Sequence, residues 1–65
     1  MEKDINKIIS TNLTKLRKQK KLTQLELANK FNFSDKTISK WESAESLPNI
    51  EVLCKLAEFY GLTLN

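Results

Sequence analysis

Apolar side chains recur at steps of three and four residues toward both ends of this 65-residue chain. The first series is Ile5, Ile8, Ile9, Leu13 and Leu16, and the last is Ile50, Leu53, Leu56, Ala57 and Tyr60. This spacing places each series on one side of an α-helix, and it predicts an all-α fold of four to five short helices. A chain of this length is near the lower limit for burying enough apolar surface to fold alone, so we expect one small domain over residues 1–65.

Residues that favour helix starts divide the chain further. The candidate N-caps are Thr23, Ser34, Asn49 and Thr63. Thr23 is supported by Glu26 three positions later, which completes a capping-box pattern. The predicted helices cover about residues 4–19, 24–30, 35–42 or 43, and 50–60, with Gly61 stopping the last one. Because Thr63 would open a further helix, we expect a truncated part of a longer protein; a frayed tail is the alternative.

The net charge of +3 hides an uneven distribution. Residues 1–40 carry ten Lys or Arg and four Asp or Glu, a balance of +6, whereas residues 41–65 carry one and four, a balance of −3. Such segregation indicates a surface for a polyanion, and the alternative interpretation is a solvated lysine-rich surface.

Composition argues against several classes of protein. Histidine is absent and Cys54 is the single cysteine, so neither an internal disulfide nor a usual zinc site is expected. No glycine loop, acidic metal cluster or nucleophile with its base is present, so we expect no enzyme, cofactor or small-molecule ligand. The apolar runs are too short to span a membrane and no signal-peptide core follows Met1, which favours a cytoplasmic protein.

The predicted third helix has an unusually polar surface. At 100° per residue, Ile38 and Trp41 lie on one side, whereas Lys36, Lys40 and Ser43 lie on the opposite side. Two large apolar residues therefore hold the helix against the domain, and the rest of its surface projects outward as hydrogen-bond donors. A short helix, a turn of about three residues and this second short helix describe a helix-turn-helix over about residues 23–43.

The residues that compose this motif resemble a known family. They are Thr23-Gln24, Leu27-Ala28, Phe33-Ser34, Thr37-Ile38-Ser39 and Trp41-Glu42. Together they are similar to the helix-turn-helix of the Cro/repressor type, also called XRE-like or lambda-repressor-like. The resemblance covers roughly residues 5–64, and it implies a DNA-binding domain. Lys21 and Asn32 depart from it, because each stands where the family commonly has a glycine. Asparagine tolerates positive φ, whereas Lys21 would either strain its corner or adopt another turn geometry.

The resemblance implies that the third helix enters the major groove with its N-terminal end first. The residues it places at base edges are Asp35, Lys36, Ser39 and Lys40. The residues it places at DNA phosphates are Gln24, Thr37 and Ser43, to which we add Lys20 and Lys21 for their charge. Lysine donates to guanine, and serine serves several bases. The alternatives are a first-turn role for Asp35, a phosphate contact or solvation for Lys36 and Lys40, and an ordinary polar first-turn role for Gln24.

Four further residues are expected to be structural. Ile38 and Trp41 should pack in the core. By resemblance, Glu42 pairs with Arg17 of the first helix, and we expect this ion pair to be partly buried, so that breaking it leaves a costly unpaired charge.

The favoured hypothesis is therefore a bacterial or phage transcription regulator that binds a specific double-stranded DNA sequence. It would act as a repressor and as a homodimer on a palindromic operator, with half-sites about one helical turn apart. A protein-interaction module that reuses the fold, such as an antirepressor or part of an antitoxin, is the main alternative. Nonspecific nucleoprotein binding is a third.

Overall fold

The computed structural model describes residues 4–62. Over this range the chain is all-helical, with α1 at Ile5–Gln19, α2 at Gln24–Phe31, α3 at Asp35–Glu42 and α4 at Ile50–Phe59. The all-α class is confirmed, and the four predicted helices agree with these bounds to within about one residue. The further helix expected from Thr63 lies outside the described residues.

Each helix starts where a short polar side chain replaces the missing backbone partner of the first turn. The N-caps are Asp4, Thr23, Ser34 and Asn49, and each accepts a hydrogen bond from the amide three residues later. At α2 the bond is reciprocal, because Thr23 Oγ1 accepts from the Glu26 amide at 3.0 Å while Glu26 Oε1 accepts from the Thr23 amide at 2.8 Å. This is the predicted capping box.

Each helix is also followed, within two residues, by a residue with left-handed backbone conformation. These residues are Lys21 (φ 59°), Asn32 (φ 61°), Ala44 (φ 66°) and Gly61 (φ 74°). In every case the amide of the following residue donates to the carbonyl five positions earlier, over 2.8–3.2 Å. This pattern is the Schellman motif, which satisfies the carbonyls at a helix end. The corners at Lys21 and Asn32 were expected, but the one at Ala44 was not.

The core lies where α2, α3 and α4 meet. Its buried members are Leu27, Ala28, Ile38, Trp41 and Leu56. Phe33, in the turn between α2 and α3, packs edge-to-face on Trp41 with ring centroids 5.2 Å apart. Phe31 makes the same type of contact with Phe59 of α4 at 5.4 Å. These aromatic contacts place both ends of the turn on the core, and they determine how α3 is presented.

Three apolar residues of the two predicted helix stripes are exposed. Ile5, Ile8 and Ile50 are 58%, 45% and 77% exposed. They lie at the start of α1 and α4, where no further element of residues 4–62 covers them. Nearby, Leu13 and Leu53 line an apolar groove between α1 and α4, of which Ile50 forms the rim. Within the described residues, no helix combines the length and apolar character needed to cross a membrane.

Candidate nucleic-acid interface

The outward surface of α3 depends on how firmly its inward surface is held. Ile38 and Trp41 are 1% and 6% exposed, and they attach this eight-residue helix to the core. Ser34 caps the first turn, and its Oγ lies 3.1 Å from Thr37 Oγ1. The helix is therefore fixed at its N-terminal end, along one side and through the preceding turn.

The four residues predicted to meet base edges lie on the surface of α3. Asp35, Lys36, Ser39 and Lys40 are all exposed. Neither of the two lysines forms an ion pair with another residue of the described range 4–62. Their ammonium groups are therefore available to an external acceptor, and the structure brings the four side chains together on one short helix.

Two of the predicted phosphate contacts already have partners within the domain. Thr37 is half-buried, and its hydroxyl forms a hydrogen bond with the hydroxyl of Ser34, the N-cap. Ser43, the C-cap of α3, donates from Oγ to the Lys40 carbonyl and to Glu45 Oε2, at 3.2 Å in both cases. These hydroxyl groups stabilise the two ends of α3, so their local role is sufficient to explain their presence.

The two lysines before α2 occupy different surroundings. The Nζ of Lys20 lies 5.2 Å from the ring centroid of Phe59 in α4, within the range of a cation–π contact. Lys21 is exposed and adopts the left-handed conformation that ends α1. The structure thus places the Lys20 ammonium group against α4, and it gives Lys21 a position in the corner that leads into α2.

Gln24 has a partner that sequence analysis missed. It is the first residue of α2 and is half-buried, and its Nε2 donates to Glu42 Oε1 over 3.0 Å. The hydrogen bond joins residues that are 18 positions apart. No local pattern signals such a contact, because it depends on how the start of α2 meets the end of α3.

The ion pair between Arg17 and Glu42 is present and joins α1 to the last residue of α3. Arg17 donates from Nε to Glu42 Oε2 at 2.7 Å and from Nη2 to Glu42 Oε1 at 3.0 Å. Arg17 Nη1 also donates to the Leu22 carbonyl at 2.6 Å. The two charged side chains are only 11% and 8% exposed. We call Arg17, Leu22, Gln24 and Glu42 the polar network.

The network determines the protonation state of its acid. Burial alone would raise the pKa of Glu42, but the hydrogen bonds from Arg17 and Gln24 and the charge of Arg17 outweigh it, so the pKa of Glu42 is lowered. The hydrogen bond to Glu42 raises the pKa of Arg17. Both groups therefore remain charged near neutral pH.

Two capped short helices joined by a short turn, the second with two exposed lysines on its outer surface, have the architecture of a helix-turn-helix. A family model described as "Helix-turn-helix" matches residues 13–65, and the chain belongs to this family. The domain has a lambda-repressor-like fold of the Cro/repressor type, a class of DNA-binding domains of transcription regulators.

Three curated proteins are similar to this chain. The HTH-type transcriptional activator BcrR of Enterococcus faecalis is 42% identical over 53 residues, which is 82% of this chain and 26% of that protein. Multiprotein-bridging factor 1 of Candida albicans (strain SC5314 / ATCC MYA-2876) is 34% identical over 95% of this chain and 41% of its own length. An uncharacterized HTH-type transcriptional regulator, y4dJ, of Sinorhizobium fredii (strain NBRC 101917 / NGR234) is 32% identical over 92% of this chain and 78% of its own. The chain thus spans about a quarter and two fifths of the first two relatives.

Proposed function

We propose that this chain is the DNA-recognition domain of a bacterial or phage transcription regulator, and that α3 enters the major groove of a specific duplex sequence. The observation that carries the proposal is the exposure of Lys36 and Lys40 on a helix held by the buried Ile38 and Trp41. A major groove admits an α-helix, and donors on its outer surface match the acceptors of guanine. The names of two relatives, a transcriptional activator and a transcriptional regulator, support the same class of function.

Within this proposal the contacts divide by chemistry. The base-edge residues are Asp35, Lys36, Ser39 and Lys40, all of them on the exposed surface of α3. The phosphate residues are Gln24, Thr37, Ser43, Lys20 and Lys21, of which Gln24 begins α2 beside its first-turn amides. Phosphate contacts orient a protein on DNA, whereas base contacts carry its sequence preference.

We propose further that the protein acts in the cytoplasm as a homodimer that represses by occupying a palindromic operator. A single small domain binds DNA weakly, and a dimer aligned with two half-sites supplies the remaining affinity. The groove between α1 and α4, with Ile50 at its rim, is the apolar surface available for pairing or for a segment beyond residue 62. The alternative to repression is activation of transcription, because the relative from Enterococcus faecalis is named a transcriptional activator.

A second candidate function is a protein-interaction module. The observation that favours it is the same groove, because exposed apolar patches bordered by polar residues mark protein contacts. A relative named multiprotein-bridging factor supports this possibility. The two exposed lysines on the outer surface of α3 favour DNA, since they offer positive charge and hydrogen-bond donors to a polyanion.

Selection of bound duplexes from a random pool tests the proposed function. We expect an enriched motif with two-fold symmetry if the dimer forms, and an enriched single half-site if it does not. Easy displacement of the selected duplex by mixed genomic DNA would instead indicate nonspecific binding. Absence of any enriched or retained duplex would contradict the proposal.

Two substitutions then separate the predicted roles. Lys40→Ala should cost about 1–3 kcal/mol on the selected duplex and relax its preferred base, because a base contact is lost. Gln24→Ala should weaken selected and random duplexes about equally, because a phosphate contact is lost. Lys55→Ala is the matched control: it removes an exposed lysine from α4, which carries none of the proposed contacts. Affinities measured at several salt concentrations check the division, and equal losses on both duplexes for Lys40→Ala would contradict it.

A further inference from the structure

The carboxylate of Glu42 accepts hydrogen bonds from two other helices. Oε2 accepts from Arg17 Nε at 2.7 Å, and Oε1 accepts from both Arg17 Nη2 and Gln24 Nε2 at 3.0 Å. Arg17 already satisfies the charge of Glu42 through two bonds. The hydrogen bond from Gln24 is therefore not needed to neutralise the carboxylate, and its effect is on the Gln24 side chain.

A carboxylate selects one end of a side-chain amide. An ionised carboxylate only accepts hydrogen bonds, whereas an amide has a donor end and an acceptor end. If the Gln24 amide were flipped, its Oε1 would face Glu42 Oε1 and the two oxygens would repel each other. Since burial and the Arg17 bonds hold Glu42 in place, the amide of Gln24 is held in one orientation. One of its N–H groups points to Glu42, and the second N–H stays free for another acceptor.

The charge balance of the network permits an anion nearby. The guanidinium of Arg17 cancels the charge of Glu42 at a distance of 2.7 Å. A phosphate close to Gln24 thus meets a neutral pair, not an isolated carboxylate. Gln24 also begins α2, where first-turn amides favour negative charge.

We propose that Glu42 is a positioning residue for DNA binding, which acts by orienting the Gln24 amide so that its free N–H donates to a phosphate oxygen. The proposal rests on the proposed function and adds a role for an acidic residue that itself touches no DNA. A glutamine side chain that is oriented before binding loses less rotamer freedom on contact, an advantage of about three- to tenfold in affinity.

The orientation is measurable without DNA. We expect 15N relaxation of the Gln24 side-chain amide to give an order parameter near the rigid-backbone value of about 0.85, whereas the exposed Gln19 side chain should fall below about 0.6. In Glu42→Gln the value for Gln24 should drop toward that of Gln19, under conditions where circular dichroism shows a folded protein. A Gln24 amide as mobile as that of Gln19 in the parent protein would overturn the proposal.

A double-mutant cycle on duplex affinity tests the functional consequence. Gln24→Met keeps the length of the side chain and leaves the Arg17–Glu42 ion pair intact. It is therefore the second variant of the cycle, and it remains measurable even if Glu42→Gln proves marginally stable. We expect Gln24→Met and Glu42→Gln each to lower affinity about three- to tenfold, and the double variant to lower it no further than the larger single effect. Losses that multiply would show that Glu42 acts independently of Gln24, which overturns the proposal. If the parent protein retains no duplex, the proposed function has failed, whereas the relaxation experiment still decides whether Glu42 orients Gln24.

Discussion

Two sides of this domain differ in how fully their side chains are satisfied by partners within the described residues. On one side the polar network joins α1, α2 and α3, and within residues 4–62 every buried side-chain nitrogen and oxygen has a hydrogen-bond partner. On the other side, no element of the described range covers the groove between α1 and α4, and Ile50 at its rim is 77% exposed. The position of the helix-turn-helix is therefore specified by contacts internal to the domain, whereas the α1–α4 side leaves apolar surface exposed.

Loss of the ion pair should have the largest effect. Arg17→Ala leaves the buried carboxylate of Glu42 without its cation and the Leu22 carbonyl without its donor. We expect the free energy of unfolding to fall by about 3–5 kcal/mol, measured by chemical denaturation at pH 7. Lys18→Ala removes the same charge from the exposed neighbouring position and should change stability little. Equal stability of the two variants would show that the network is not what stabilises this side.

The same ion pair has a pH signature. Because the folded state lowers the pKa of Glu42 from its ordinary value of 4.5, the contribution of Glu42 is complete above that value and is lost as the pH falls through the folded pKa. Arg17→Ala should therefore flatten the acid side of the stability profile. If the free energy of unfolding of the variant falls at acid pH as steeply as that of the parent, another carboxylate is responsible for the loss of stability in acid.

One substitution made on both sides measures the difference between them. Ile38→Ala removes a side chain that is 1% exposed and should cost about 2–5 kcal/mol. Ile50→Ala makes the same change where the side chain is 77% exposed and should stay within about 0.5 kcal/mol. Thermal and denaturant unfolding at two protein concentrations check both values. A large, concentration-dependent cost for Ile50→Ala would mean that a second copy covers the groove in solution.

A small gain in stability is expected at the end of α3. Ala44 has a φ of 66°, a conformation that glycine adopts without steric cost. Ala44→Gly should therefore stabilise the domain by up to about 1 kcal/mol. Ala57→Gly makes the same chemical change inside α4 and should destabilise by at least about 1 kcal/mol, because it also removes a buried methyl group. Opposite signs are expected in parallel denaturation curves, and a loss of stability from both variants would contradict the strain assigned to Ala44.

The helix starts could be predicted from the sequence because capping is local. Thr23, Ser34 and Asn49 each bond to an amide three residues later, so the chemistry of a few neighbouring residues is sufficient. The helix ends were harder to predict. Asn32 signals a left-handed corner through its own preference, whereas Ala44 has no such preference and adopts the conformation only because the fold turns there.

The candidate interface shows the same division. The outward position of Lys36 and Lys40 follows from the helical period, because Ile38 and Trp41 lie on the opposite side of α3. The base-contact set as a whole was implied only by the family resemblance. The hydrogen bond from Gln24 to Glu42 could not be derived in advance, because it joins the first residue of one helix to the last residue of another.

The sequence by itself determined the four helices, their N-caps and the polar surface of α3, because each depends on interactions within a few residues. Tertiary structure alone decided the partner of Gln24, the left-handed backbone of Ala44 and the exposure of Ile50. The physical reason is that hydrogen bonds and burial between helices depend on the packing of distant segments, and helical periodicity does not specify that packing.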